Sequence, residues 1–254
     1  MITRRLAALV LLLVCIACKP SSQPQQQGKP AAAGPRTRAT IVTVRTVLEP
    51  SKRTIDHELT ISGGRARSSS ESETWRLYDL EKKTVTFVDD VEQTSRTETF
   101  DSLVAKRRAA LSQPLRGDVP RAKLETTKEQ KTLQGVAATK SVVRVGNYTR
   151  ELWIGKHPQI PPELFAMMLA SETPSSPLAP MMREADEKLV EVEGFPLLDR
   201  AELPFGNQKM IVEKSVVSVA QREVPEAALQ VPREYKDVTP RPKAPAAKAN
   251  QSRR

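Results

Sequence analysis

The 254-residue chain contains 40 Lys and Arg against 30 Asp and Glu, which gives a formal net charge of +10. Residues 46–235 hold 27 bases and 29 acids, so the whole excess lies in the two ends of the chain. Because a nucleic-acid-binding domain needs its basic residues on the folded surface, this distribution argues against nucleic acid as a partner.

Residues 1–17 have the three regions of a secretory signal peptide. Arg4 and Arg5 form a positive n-region, residues 6–14 are continuously apolar, and Ala17 is a small residue suited to cleavage. The apolar run is about half of the ~20 residues that a transmembrane helix needs. We therefore predict a cleaved signal peptide rather than a permanent membrane-spanning helix.

The end of this segment resembles the lipobox of bacterial lipoproteins. Ile16, Ala17 and Cys18 match that motif, whereas Cys15 stands where leucine is usual. The resemblance implies lipidation at Cys18 and membrane attachment through the lipid. Lys19 at the next position implies sorting to the outer membrane of a bacterial envelope, facing the periplasm. Ordinary secretion after cleavage behind Ala17, and an uncleaved anchor, are the alternatives.

The cysteine content limits the chemistry of the mature protein. Cys15 would leave with the signal peptide and Cys18 would carry lipid, so the folded part would contain no thiol. A disulfide framework, a cysteine nucleophile and a cysteine-ligated zinc site are therefore excluded there.

Two flanking segments are too poor in large apolar residues to fold. Residues 19–38 have no aromatic residue and only alanine as an apolar type, so residues 18–38 are predicted to form a lipidated, disordered tether. Residues 239–254 are rich in Pro, Ala and bases and are predicted to form a disordered basic tail. This tail either aids solubility or makes loose contacts with an anionic membrane surface.

Residues 39–238 are predicted to form a single α+β domain that is mainly antiparallel β. Residues 55–62 alternate between apolar and polar types, as in a strand with one buried face, and Gly146-Asn147 indicates a hairpin. Short strands that follow one another through tight turns predict an antiparallel sheet. Further strands are predicted around Trp75 and Val85 and at 94–100, 122–127, 137–145, 148–155 and 209–220.

Three helices are predicted between these strands, at residues 103–111, 162–169 and 180–189. The last two carry apolar side chains, several of them from the adaptable residue methionine. These side chains either fill the core against the sheet or form a movable lid over an apolar cavity. They are Leu164, Phe165, Met167, Met168, Met181 and Met182.

Five segments resemble, in their order along the chain, a domain family of bacterial envelope proteins that has no assigned function. The segments are residues 132–135, 139–145, 149–155, 193–197 and 231–238. That family is similar to the half-barrels of lipoprotein-localisation factors. The resemblance implies a curved antiparallel sheet or half-barrel, with two or three helices over its concave face and room there for acyl chains.

Motifs that carry chemistry are few. His57 falls on the apolar face of its strand and indicates a core residue, while His157 lies in a polar turn. Neither belongs to a metal-binding motif, and no glycine-rich phosphate loop is present. The sequence thus predicts no catalytic residue, no cofactor and no metal site, although a glycosidase-type carboxylate pair would leave no local signature.

Three functions remain as hypotheses. The first is a non-enzymatic lipoprotein that binds an apolar or lipid-like ligand in its half-barrel. The second is a structural or interaction lipoprotein with a filled core that docks another envelope component. The third is a hydrolase with a polar cleft around His57.

The lipoprotein hypothesis makes a direct prediction for Cys18. The Cys18→Ser chain should lose incorporation of radiolabelled palmitate, because serine provides no thiol for thioether formation. The wild-type chain, expressed and extracted in parallel, should be labelled. A wild-type chain without label, or a variant that keeps it, would refute lipidation at this residue.

Overall fold

The computed structural model describes residues 34–69, 73–112, 120–172, 179–205 and 208–240. The predicted signal peptide, Cys18, most of the tether and most of the basic tail lie outside these ranges. The described residues belong to one compact unit, Gly34–Arg254. Among them, no helix is both long enough and apolar enough to cross a membrane.

The described residues form twelve strands and three α-helices. The strands are β1 (Arg36–Glu49), β2 (Arg53–Ser62), β3 (Arg65–Ser69), β4 (Thr74–Asp79), β5 (Thr84–Asp89), β6 (Thr94–Thr99), β7 (Lys123–Leu133), β8 (Val136–Val145), β9 (Tyr148–Gly155), β10 (Phe195–Phe205), β11 (Gln208–Pro225) and β12 (Lys236–Asp237). The helices are α1 (Phe100–Ser112), α2 (Leu164–Ser171) and α3 (Ala179–Leu189).

All twelve strands belong to one sheet, in the order β12-β6-β5-β4-β3-β2-β1-β11-β10-β9-β8-β7. Neighbouring strands pair antiparallel, except that the short β12 pairs parallel with β6. The predicted class, mainly antiparallel β with three helices, is therefore confirmed. β1 begins at Arg36, three residues before the predicted start of the domain.

Four strands, β1, β3, β10 and the two-residue β12, were not among those predicted from the sequence. β3 has five residues, of which only Ala66 is fully buried, so it lacks an apolar pattern. β10 contains Pro196, Pro204 and the buried Asp199, which together hide the alternation of a half-buried strand. The second predicted helix begins at Leu164 and not at Pro162.

The helices pack together and on one face of the sheet. α1 connects β6 to β7, which lie near opposite ends of the strand order, and it contacts both α2 and α3. α2 contacts β10, while α3 contacts β7, β8 and β9. One helix group thus reaches strands near both ends of a single sheet, which is consistent with a curved sheet or half-barrel.

One hydrophobic core joins the helices to this sheet face. Leu164, Leu169 and Leu189 from the helices are almost fully buried together with strand residues such as Val85 and Leu152. α2 is further fixed to β10 by an edge-to-face contact between Phe165 and Phe195, whose ring centroids lie 6.3 Å apart. The fold of the described residues therefore depends on apolar burial, and no disulfide is present among them.

Four buried charged residues connect four of these elements, β9, β10, α1 and α3, within the core. Arg150 on β9 donates two hydrogen bonds to Asp199 on β10, of 2.9 and 2.7 Å, and one of 2.7 Å to Asp186 on α3. Arg107 on α1 forms an ion pair of 3.1 Å with the other oxygen of Asp186. The guanidinium of Arg107 also donates hydrogen bonds to the carbonyl oxygens of Leu169 and Glu172 at the end of α2.

The pKa values of the two carboxyl groups in this network shift in opposite directions. Burial raises the pKa of Asp186 to about 6, and the charges of Arg150 and Arg107 oppose a further rise. Burial would also raise the pKa of Asp199, but the charge and paired hydrogen bonds of Arg150 outweigh it and lower that pKa. Folding thus favours the charged form of Asp199 and disfavours that of Asp186.

The opposite face of the sheet carries a smaller cluster built with the end of the chain. Trp75, Leu77 and Val88 pack there against Leu229 and against partly buried residues that follow it. The Trp75 Nε1 and Tyr235 Oη groups both donate hydrogen bonds to Oδ1 of Asp90, over 2.8 and 3.0 Å. Residues 229–235 therefore close the second face of β4 and β5, directly before β12 in the chain.

Removal of Arg150 should destabilise the protein strongly. Arg150→Met leaves two buried carboxylates without their main partner, which should cost about 3–5 kcal/mol in the free energy of unfolding. Arg45→Met is a matched control, because Arg45 pairs with Asp56 at an exposed site on β1 and β2 and should change stability little. Urea denaturation of both variants checks this, and equal losses would contradict a special role for the buried network.

The two buried aspartates should also differ in their pH response. At neutral pH, Asp199→Asn should destabilise more than Asp186→Asn, because only Asp199 has a lowered pKa in the folded protein. A carboxyl group with a raised folded-state pKa adds stability as the pH falls through that value. The unfolding free energy of the wild type relative to Asp186→Asn should therefore rise between about pH 7.5 and about pH 5. A flat difference across this range would refute the raised pKa.

Candidate functional site

A cavity of about 580 Å³ lies beside the core, between the end of α2 and strands β1–β6. Its wall is mostly apolar and includes Val44, Leu59, Tyr78, Phe87 and Met168. The volume falls within the range of about 300–1,000 Å³ that is usual for small-molecule sites. We refer to this space as the main cavity.

Sheet register places a single row of side chains along one wall of the main cavity. Leu59 on β2 pairs with Ser68 on β3, Ser68 with Arg76 on β4, Arg76 with Phe87 on β5, and Phe87 with Arg96 on β6. Directly paired residues in a sheet point to the same face. The row therefore begins with the apolar Leu59 on β2 and ends with the Phe87 ring on β5 between Arg76 on β4 and Arg96 on β6.

The neighbouring row of side chains is part of the core. Ile61, Ala66, Tyr78 and Val85 are paired in the same way across β2–β5, and each is buried. In the other direction, Thr74 pairs with Asp89 and Asp89 with Thr94, and all three line the main cavity. The cavity thus occupies the part of the sheet face that the helix core leaves uncovered.

A second, smaller cavity of about 270 Å³ adjoins α1 and the end of α2. Phe87, Arg96 and Glu172 line both cavities, so the two spaces have a common boundary. Leu103 and Ala170 provide apolar surface in this side cavity.

The structure separates the six residues that were predicted to form a core or a lid. Leu164, Phe165 and Met167 are at most 4% exposed and belong to the core, as the space-filling alternative expects. Met181 and Met182 on α3 are partly buried against the same core. Met168 differs because its partly exposed side chain lines the main cavity.

The two histidines occupy different surroundings. His57 is half-buried and lines the main cavity, on the sheet face where the alternation on β2 placed it. His157 lies in the turn after β9, and partial burial lowers its pKa. Within the ranges that the structure describes, no group of three or more His, Cys, Asp or Glu side chains is arranged to hold a metal ion.

The charged residues of the cavity row were missed by the sequence analysis. Arg76 stands between the buried Trp75 and Leu77, and Arg96 lies in a strand made mostly of polar residues. An arginine within an apolar strand is a usable signal, but it does not show which face the side chain takes. The register of β4, β5 and β6 decides that face.

Comparison with known proteins gives no family. No protein-family model matches the chain, and no curated protein matches it. Among solved structures, PNGF-II in a C2 crystal form is similar at a TM-score of 0.46 and 12% identity, over 80% of this chain and 31% of that chain. A LolA superfamily protein, NE2245 from Nitrosomonas europaea, is similar at a TM-score of 0.28 and 9% identity, over 77% of this chain and 90% of that chain.

These likenesses do not decide what the protein does. This chain spans about a third of the PNGF-II chain that it matches, and both TM-scores are low.

Adjacent methionines on α2 should show the division between core and cavity. Met167→Ala should lower the free energy of unfolding by about 2–5 kcal/mol, because it leaves a hole in a packed core. Met168→Ala should cost distinctly less, since its side chain already borders open space. Thermal and urea unfolding of the two variants provide the measurement, and equal losses would place Met168 in the core instead.

Proposed function

We propose that this protein is a membrane-anchored lipoprotein of the bacterial envelope that binds an apolar or lipid-like ligand in a half-barrel. The main cavity is the observation that carries the proposal. It is partly open to solvent, its wall is mostly apolar by area, and its volume suits a small ligand. In this proposal α1–α3 cover part of a concave sheet face, and the lipid on Cys18 holds the domain near the membrane.

The surroundings of the cavity support a role in binding. Tyr78 is fully buried at its inner side, and its hydroxyl is 3.3 Å from the Ser171 hydroxyl on α2, so the base of the cavity is tied to the helix. Met168, one turn before the end of α2, provides a flexible and polarisable wall. A fixed base with an adaptable wall suits ligands of variable shape, such as acyl chains.

A non-enzymatic role is part of the proposal. The sequence provides no nucleophile motif, and the cavity's His57 lies beside the apolar residues Val44, its partner on β1, and Leu59. Docking of an envelope protein partner is the alternative role, and it would leave the main cavity without a ligand. Measurements of ligand uptake distinguish the binding role from the docking role.

Filling the cavity should abolish binding of an acyl chain. Ser68→Phe places a large ring on the cavity face of β3, whereas Ser215→Phe makes the same change at a half-buried position on β11 that pairs with the exposed Arg45. With a fluorescent fatty acid as probe, wild type and Ser215→Phe should bind alike, and Ser68→Phe should bind at least tenfold more weakly. Full-length protein is used throughout.

The chain length of the ligand provides a second measurement. Each buried methylene contributes about 0.8 kcal/mol, so Kd should fall about fourfold per added CH₂ until the cavity is full. No uptake by the wild type, or equal uptake by both serine variants, would reject the cavity as the binding site. Recovery of a stable protein partner by crosslinking in cells, without any uptake, would support the docking alternative.

A further inference from the structure

The walls of the two cavities are cationic although the domain around them is not. Residues 46–235 contain more acids than bases, yet the combined linings contain twice as many bases as acids. The acids are Asp89, Glu98 and Glu172. The bases are Arg76, Arg96, Lys106, Arg107, Arg183 and Lys214.

Two of these charged residues already bind other groups of the protein. Arg107 belongs to the buried network with Asp186. Asp89 accepts hydrogen bonds of 3.0 and 2.9 Å from the backbone N–H groups of Val91 and Glu92, which form the turn after β5. The remaining lining charges are five bases and two acids, so the excess is positive.

Both remaining acids have basic neighbours. Glu98 forms ion pairs with Arg96, over 3.3 Å, and with Lys106. Glu172 lies 4.0 Å from Lys214, at the limit of an ion pair. Arg76 forms no ion pair with any carboxylate of the residues that the structure describes.

Arg76 and Arg96 flank Phe87 on the two neighbouring strands. Their guanidinium carbons lie 5.8 and 4.9 Å from the centroid of Phe87, and both residues are direct sheet partners of Phe87. Stacking on an aromatic face orients a guanidinium and leaves its N–H edge available. Such an edge binds carboxylate or phosphate oxygens in a forked arrangement.

We propose that the main cavity selects anionic amphiphiles, and that Arg76 and Arg96 bind the oxyanion headgroup while the apolar wall near Leu59 and Met168 holds the acyl chain. This inference rests on the proposed function and adds the chemical class of the ligand. The two parts of the site are adjacent, because Ser68 alone separates Leu59 from Arg76 in the row. A free anion would use the arginines but leave the apolar wall exposed, so the observations favour an amphiphile.

The test compares probes that share a dodecyl chain and differ in charge. Laurate, dodecyl phosphate and uncharged dodecanol displace a fluorescent fatty acid from full-length protein at concentrations below micelle formation. The wild type should bind the two anions at least tenfold more tightly than dodecanol. Arg76→Met and Arg96→Met should each weaken anion binding by about tenfold to hundredfold, the range for a lost charge-assisted hydrogen bond. Dodecanol binding should change less than twofold.

Control variants distinguish the loss of a positive charge at the site from a loss of folding. Arg65→Met removes a base from the opposite face of β3 and should leave all three affinities unchanged. Arg76→Lys should recover part of the anion affinity, since lysine keeps the charge without the fork. Unaltered dodecanol binding by Arg76→Met also shows that this variant is folded.

The outcomes distinguish failure of this inference from failure of the proposed function. Equal wild-type affinities for laurate and dodecanol, or equal losses for anions and dodecanol in the arginine variants, would overturn the headgroup assignment and leave the cavity function intact. Absence of binding by all three dodecyl probes would overturn both. Inorganic phosphate as a competitor should displace no probe at millimolar concentration, and displacement by it would indicate an anion site instead.

Discussion

The buried pairing of Arg150 with Asp199 and Asp186, completed by Arg107, is the constraint on which the arrangement of helices and sheet depends. It connects β9, β10, α3 and α1, and Arg107 reaches the end of α2 as well. Two positive and two negative charges balance, so the group can be buried without a net charge. Apolar packing alone would hold the helices near the sheet, but these directed contacts fix where α2 ends and hence where the main cavity begins.

The cavity exists because the helix group covers the sheet face unevenly. Tyr78 and Val85 are buried beneath it, while Phe87, further along β5, and Arg96 on the neighbouring β6 border open space. The opposite face of β4 and β5 is closed by Leu229 and Tyr235, so this part of the sheet is supported from behind while its front remains accessible. A mostly apolar cavity wall that is supported from behind suits the proposed binding function.

Prediction from the sequence succeeded where local pattern and tertiary role agree. The strand at 148–155 was predicted with its observed bounds, and the hairpin at Gly146-Asn147 is confirmed, because alternation and turn residues act over short distances. It failed for β10, where the buried Asp199 interrupts the apolar pattern and is compensated by Arg150 on another strand. The sequence pattern also could not distinguish Met167, which is buried in the core, from the adjacent Met168, which lines the main cavity.

The sequence by itself determined the class of fold, the location of the basic residues in the two ends, the lack of chemical motifs and the prediction of a lipid on Cys18. These follow from composition and from patterns within about ten residues. Only the tertiary structure decided that Arg76, Phe87 and Arg96 form one row on a cavity wall. They come from three strands, and a shift of one residue in register would turn each side chain to the other face of the sheet.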